Sequence, residues 1–194
     1  MSYFVPMRKV AILVSILSLA VTWTSCQRER GGNLADLRKL ADSATARSQQ
    51  LLFQKVSTAM SQGGAAHALE FCQVQAIPIT DSLSRSFELD LQRISDKNRN
   101  PNNRFRTPKD RSIFETFKQS PKLKDTILME NGHPIYYKRI DLGMVNCLKC
   151  HGKPDVDLEP KTLELIRDLY PMDKAVDYGL NDLRGMWKVY FSKQ

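Results

Sequence analysis

The sequence predicts an α+β fold in which a long N-terminal helix and shorter flanking helices pack on an antiparallel sheet. Apolar residues repeat with helical spacing from Leu34 to Met60. The dipeptide Asn131-Gly132, between two apolar runs, is typical of a β-hairpin turn. The predicted order of elements is helices, strand, helix, hairpin, helix and strand, which favours an α+β domain built on an antiparallel sheet.

The first half of the chain is predicted to be helical. The helix that includes residues 34–60 should end at Gly63-Gly64, because glycine is unfavourable inside a helix. A second helix is expected from about Ala65 to Ala76, with Cys72 on its apolar face. Pro78 should then break or restart the helix, with a further short helix over residues 80–87.

Strands and helices alternate in the second half. Partial alternation predicts a strand over residues 87–94, and a loop rich in Asn and Arg follows over residues 96–106. Thr107, Pro108 and Asp110 form the N-terminal signature of a helix. The remaining expected elements are hairpin strands at 125–130 and 134–140, a helix at 160–169 and a final strand at 186–191.

The N-terminus has the pattern of an export signal. Arg8 and Lys9 precede an apolar run that is shorter than the ~20 residues of a membrane-spanning helix, and small residues follow it. We therefore expect residues 1–25 to be a signal peptide and the protein to lie on the periplasmic side of a bacterial membrane. Cys26 occupies the position of a lipoprotein cysteine, although Trp23 stands where such signals usually carry Leu. The alternative is ordinary cleavage nearby with Cys26 incidental.

Residues 26–33 are expected to be a polar tether and residues 34–194 a single domain. The formal net charge of +8 falls to +6 without Arg8 and Lys9. A basic exported protein is expected to meet acidic protein partners, anionic lipid or a carboxylate-bearing cofactor, and nucleic acid fits this location poorly.

The run Cys147-Leu148-Lys149-Cys150-His151 is the attachment pattern of a c-type haem. Two thiols at this spacing meet the two vinyl groups of one porphyrin, and the next histidine reaches the iron. We therefore predict one covalent haem c, with Cys147 and Cys150 as attachment residues and His151 as an axial iron ligand. Of the loop cations, Arg99 and Arg104 are the candidate contacts to the haem propionates, since guanidinium groups pair well with carboxylates.

Cysteine count makes Cys72 conspicuous. Of four cysteines, one is the candidate lipid site and two belong to the haem motif, which leaves Cys72 without a disulfide partner. It should be buried, ligated or reactive, and a small buried side chain is the simplest alternative to ligation. Other candidate ligands that remain open are Met60, Met129, Met172 and Met186. A zinc site made by Cys72, Cys147, Cys150 and His151 is a further alternative.

The chain resembles a family of small exported c-type haem domains with a PAS-like fold, some of which are fused to sensor kinases. The residues that carry the resemblance are the Cys72 helix followed by Pro78, the loop Arg99-Asn100-Pro101-Asn102, the stretch 147–152, the segment 170–175 and Arg184-Gly185. They are spread over most of residues 34–191. The resemblance implies a PAS-like antiparallel sheet and a haem held by His151 on one side and the Cys72 thiolate on the other.

Two functions follow as expectations. The first is a haem-based redox or gas sensor that acts through a redox or signalling protein partner, which the sequence does not identify. The second is an electron-transfer cytochrome at the membrane surface. We expect no enzymatic activity, because no nucleophile motif, phosphate loop or acid pair exceeds chance. Homodimer formation is compatible with the sequence.

Overall fold

The computed structural model describes Met1 and residues 29–191. The chain divides into two compact units, Met1–Asp36 and Leu37–Gln194. The first is described at Met1 and over the opening turns of the first helix, whereas the second holds all four strands and the other helices. The predicted signal peptide and the lipid site at Cys26 lie outside the described residues, and the predicted tether is described only from Glu29, where the first helix begins.

Four α-helices and four strands follow one another in the described part of the chain, with a short 3-10 helix (Pro101–Asn103) in the loop after β1. The elements in chain order are α1 (Glu29–Phe87), β1 (Leu89–Ile94), α2 (Pro108–Gln119), β2 (Asp125–Glu130), β3 (His133–Asp141), α3 (Val145–His151), α4 (Pro160–Leu169) and β4 (Leu183–Phe191). All strand pairs are antiparallel, in the order β1-β4-β3-β2. The predicted α+β class, with a long N-terminal helix and flanking helices, is confirmed.

Helix α1 is interrupted where the glycine pair predicted an end. Gly63 and Gly64 leave the helical region, and Gly64 has a φ of 73°, which side chains rarely adopt. The prediction of a break at Pro78 was wrong, because α1 continues through it to Phe87. Pro78 and Val74 are exposed, so the carbonyl group that Pro78 leaves without a donor lies near solvent.

The sheet buries both faces. On one face α1 packs over Leu89, Tyr136, Trp187 and their neighbours. On the other face α2 packs through Phe114 and Phe117 against alternate residues of β3 and β4, since successive strand side chains point to opposite faces. Helix α2 begins as predicted, with a capping box between Thr107 and Asp110.

Helix α4 has a small core of its own. Leu163 and Ile166 pack with Leu69 of α1 and with Leu158 from the preceding loop. The segment from Leu69 onwards is therefore held between the sheet and α4. Of the helices between residues 29 and 191, none combines the length and apolar composition that a membrane span requires.

Candidate functional site

A cavity lies between α1, the sheet and α3. Both segments of α1 line it, as do the ends of β1, β3 and β4. The residues that line it include Cys72, Cys147, Cys150 and His151. Cys72 and His151 are 79 positions apart in the sequence (151 minus 72). Apolar residues including Leu52, Val56, Met60, Ala68, Leu69 and Ile140 surround these polar groups.

Helix α3 presents the two motif cysteines and the histidine within its seven residues. Cys147 and Cys150 are three residues apart on this helix and both are half-buried, so they share one face. The carbonyl groups at the C-terminal end of α3 have partners from outside the helix. Arg99 Nη2 donates to Cys150 O at 2.7 Å, and the N–H of Tyr178 donates to His151 O at 3.0 Å. These contacts hold the end of a short helix that has few bonds of its own.

His151 makes one informative hydrogen bond. Its Nδ1 atom lies 2.7 Å from the backbone oxygen of Ala175. A carbonyl oxygen can only accept, so Nδ1 carries the proton and Nε2 is left with its lone pair. Burial, together with the nearby charges of Arg99 and Arg184, lowers the pKa of His151 well below its usual value. His151 is therefore a neutral imidazole with one nitrogen available to a metal.

Cys72 lies on α1 and faces the same cavity. Burial raises the pKa of its thiol, and the positive charges of Arg93 and Arg99 act in the opposite direction. Burial also raises the pKa of Cys150 to about 11. Without a bound cation in the cavity, both thiols are therefore protonated at neutral pH.

The cavity selects among the sulfur ligands that the sequence left open. Met60 lines it with Cys72. Met129 and Met172 are exposed, and Met186 is fully buried in the core on the α2 side of the sheet. The histidines His67 and His133 are also away from it, since His67 lies near Glu70 at the surface and His133 is exposed in the hairpin.

The zinc alternative is not supported by the geometry. Within residues 29–191, no group of three or more His, Cys, Asp and Glu side chains is arranged to hold a metal ion. Cys72, Cys147, Cys150 and His151 line one cavity, but they are not arranged as the compact group of ligands that a tetrahedral zinc ion requires.

The two arginines predicted as carboxylate contacts have different surroundings. Arg99 lines the cavity, but its Nε and Nη2 atoms are bound to Asp173 and to the backbone oxygens of Cys150 and Ala175. Arg104 is exposed and does not line the cavity. The structure therefore gives Arg104 no contact with the site.

Two other arginines, which sequence reasoning missed, line the cavity. Arg93 donates weakly to Ala76 O at 3.5 Å and lies over the Trp187 ring, and it has no ion pair within the described chain. Arg184 donates through Nη1 to Ser95 Oγ and Lys97 O at 3.0 Å each, while its buried Nε has no partner among the described residues. Arg93 shares the face of β1 that carries Leu89 and Leu91, so strand alternation could have identified it as an inward-facing charge.

Comparison with known proteins agrees with this architecture. A family model described as Tll0287-like matches residues 34–192. The crystal structure of the cyanobacterial heme-protein Tll0287 has the same fold, with a TM-score of 0.64, 24% sequence identity, and coverage of 82% of this chain and 96% of that one. No curated protein matches the chain. Because the family model covers most of the described residues, the chain belongs to the Tll0287-like family.

Proposed function

We propose that the protein binds one haem c, with thioether bonds from Cys147 and Cys150 and with His151 as an axial ligand. The observation that carries this proposal is the bond from His151 Nδ1 to Ala175 O, which leaves Nε2 available next to two cysteines at haem-attachment spacing. The fold shared with a heme-protein supports it. A bound haem would supply a metal centre that changes oxidation state by one electron.

The cavity residues fit such a group. Apolar side chains of α1 and the sheet could cover the ring, and Arg93 and Arg184 offer guanidinium groups for its carboxylates. Gly185 lies where β4 passes close to β1, since a Cβ atom there would come within 2.8 Å of Ile94 O. The cavity thus offers hydrogen-bond donors for the haem carboxylates and apolar side chains for the haem ring.

We propose Cys72 as the second axial ligand. It is half-buried and lines the same cavity as His151. Apart from the attachment cysteines Cys147 and Cys150, Met60 is the other sulfur side chain among the described residues that line this cavity. A thioether would favour the reduced metal more than a thiolate does. The two assignments therefore predict different reduction potentials.

The biological role that we propose is a redox or gas sensor. A more positive metal holds an anionic thiolate more strongly, and burial favours the neutral thiol of Cys72. Cys72 is thus the residue expected to respond to a change of oxidation state. Electron transfer is the second candidate, because Met144 and Val145 are exposed at the start of α3, where a redox partner could approach the cofactor.

The proposed location is the periplasmic side of a bacterial membrane, with Cys26 as the lipid attachment site. The N-terminal sequence supports this proposal, since c-type haem is attached outside the cytoplasmic membrane. Incorporation of labelled palmitate into the full chain, but not into a Cys26→Ser variant, would be the expected result. Equal labelling of both would contradict the assignment of Cys26.

Absorption spectra test the haem ligands. The full chain, co-expressed with haem-attachment machinery, should give a thiolate-type spectrum when oxidised that Cys72→Ala loses and Met60→Leu keeps. An unchanged spectrum in Cys72→Ala would exclude Cys72 as a ligand. Carbon monoxide binding by the reduced protein would favour the sensor, whereas rapid reversible electron exchange without such binding would favour the electron carrier.

A further inference from the structure

The buried ion pair of Arg99 and Asp173 contacts the backbone segment that binds His151. Arg99 Nε donates to Asp173 Oδ1 at 2.9 Å, and the two side chains are only 10% and 7% exposed. Arg99 belongs to the loop that follows β1, and Asp173 belongs to the segment after α4. The pair therefore joins two parts of the chain that are distant in sequence, next to the haem motif.

The pair controls the backbone around Ala175. Asp173 Oδ1 accepts the N–H of Ala175 at 3.2 Å, which fixes the orientation of the residue whose carbonyl faces His151. Arg99 Nη2 donates to Ala175 O at 3.3 Å, so this oxygen accepts from both Arg99 and His151 Nδ1. One ion pair thus orients the acceptor of the histidine proton and also contributes a donor to it.

The same guanidinium group holds the helix that carries His151. Arg99 Nη2 also donates to Cys150 O at 2.7 Å. Arg99 therefore binds both the backbone of the helix that carries His151 and the backbone oxygen that His151 Nδ1 contacts. Burial of a guanidinium group is costly unless its N–H groups have acceptors. Asp173, Cys150 O and Ala175 O supply these acceptors to Arg99.

We propose that Arg99 and Asp173 are positioning residues that select the Nδ1-protonated tautomer of His151 and so direct Nε2 into the cavity. A neutral imidazole in water favours the proton on Nε2, so the opposite tautomer must be imposed by the protein. The bond to Ala175 O imposes it, and the ion pair keeps Ala175 O in place. The importance of Nε2 for a metal rests on the proposed function, whereas the choice of tautomer does not.

The test measures the tautomer of His151 by nitrogen NMR of the full chain, labelled in histidine and prepared without haem. The signal is assigned with His151→Gln, which leaves His67 and His133. Wild type should show protonated Nδ1. The double variant Arg99→Met/Asp173→Leu removes both buried charges together. Without them Ala175 O is no longer held in place, and the hydrogen bond from His151 Nδ1 to it should be lost. The ratio of Nδ1-protonated to Nε2-protonated forms should then fall about tenfold.

Two further variants keep the test decisive if the double variant does not fold. Arg99→Lys retains the charge but cannot reach Asp173, Cys150 O and Ala175 O together, so the ratio should fall. Asp173→Asn keeps an acceptor for the Ala175 N–H and should change the ratio less. Arg104→Lys, an exposed arginine of the same loop, is the matched control and should leave it unchanged.

Two results would overturn the inference. One is an Nε2-protonated His151 in the wild type, and the other is an unchanged ratio in both Arg99 variants. Haem binding is scored separately, by co-expression with attachment machinery. A protein that takes up no haem but shows the predicted tautomers would contradict the proposed function and leave the positioning role supported.

Discussion

Arg99 Nη2 lies 2.7 Å from the backbone oxygen of Cys150, so the arginine that the sequence assigns to a cofactor carboxylate instead holds the end of α3. Its Nε atom is also used, by Asp173. The carboxylates of a bound haem are therefore expected to meet Arg93 and Arg184, which line the same cavity. Arg184 Nε has no partner among the described residues, and the hydrogen bond from Arg93 to Ala76 O is long, at 3.5 Å.

Replacement of Arg93 or Arg184 by Gln should lower the free energy of unfolding of the haem-loaded protein more than that of the haem-free protein. Each variant removes a charged hydrogen bond worth about 1.5–3 kcal/mol. Urea unfolding of both forms measures the difference. Arg104→Gln is the matched control, since Arg104 is exposed outside the cavity. Equal losses in loaded and haem-free protein would contradict the carboxylate assignment.

The buried ion pair between Asp110 and Lys188 should dominate the stability of the α2 side of the sheet. Each side chain is 1% exposed, and Lys188 Nζ lies 2.7 Å from Asp110 Oδ1. Lys188→Met leaves the Asp110 carboxylate buried without its cation and should cost about 3–5 kcal/mol. The double variant Asp110→Asn/Lys188→Met should recover part of the loss, as chemical denaturation would show. A double variant less stable than Lys188→Met would show that an unpaired Asp110 carboxylate is not the cause of the loss.

Stability should depend on pH through the same pair. Burial alone would raise the pKa of Asp110, but the hydrogen bonds from Lys188 and from the backbone of Arg106 and Thr107 outweigh it and lower the pKa. The unfolded state therefore binds the proton first, and the contribution is complete above about pH 4 and lost as pH falls through the lowered pKa. The difference in unfolding free energy between wild type and Lys188→Met should shrink on acidification. A difference that grows at low pH would reverse the assigned sign.

The two glycines that flank α3 should respond differently to substitution. A Cβ atom on Gly152 would lie 2.6 Å from Leu148 O and 2.5 Å from Asp157 Cβ, whereas one on Gly143 would meet nothing within 4 Å. Gly152→Ala should therefore lower stability by about 1–3 kcal/mol, and Gly143→Ala should be neutral or slightly stabilising. Thermal unfolding of the two variants makes the comparison, and equal effects would argue against close packing at Gly152.

Local sequence signals predicted most of the elements. The capping box at Thr107 and the Asn131-Gly132 turn depend on neighbouring residues alone, so α2 and the hairpin could be identified without tertiary information. Pro78 was misjudged because the proline penalty is local, whereas α1 is held by contacts with the sheet and with α4.

The residues of the candidate site could be predicted where they form a local sequence motif, but not where they are brought together by contacts between residues far apart in the sequence. Cys147, Cys150 and His151 follow from their spacing, and the structure brings Cys72 to the same cavity. The partner of Arg99 lies 74 residues away at Asp173, and no local pattern distinguishes Arg99 from the exposed Arg104. Arg93 was detectable only as a charge on the buried face of a strand.

Mass spectrometry of the denatured full chain, after co-expression with haem-attachment machinery, shows directly whether Cys147 and Cys150 bind haem covalently. Wild type and Cys72→Ala should both carry the additional mass of one haem, which persists after denaturation because the bonds are covalent. Cys147→Ala/Cys150→Ala should carry none. A wild-type chain without the haem mass, or a double variant that retains it, would contradict covalent attachment at these two cysteines.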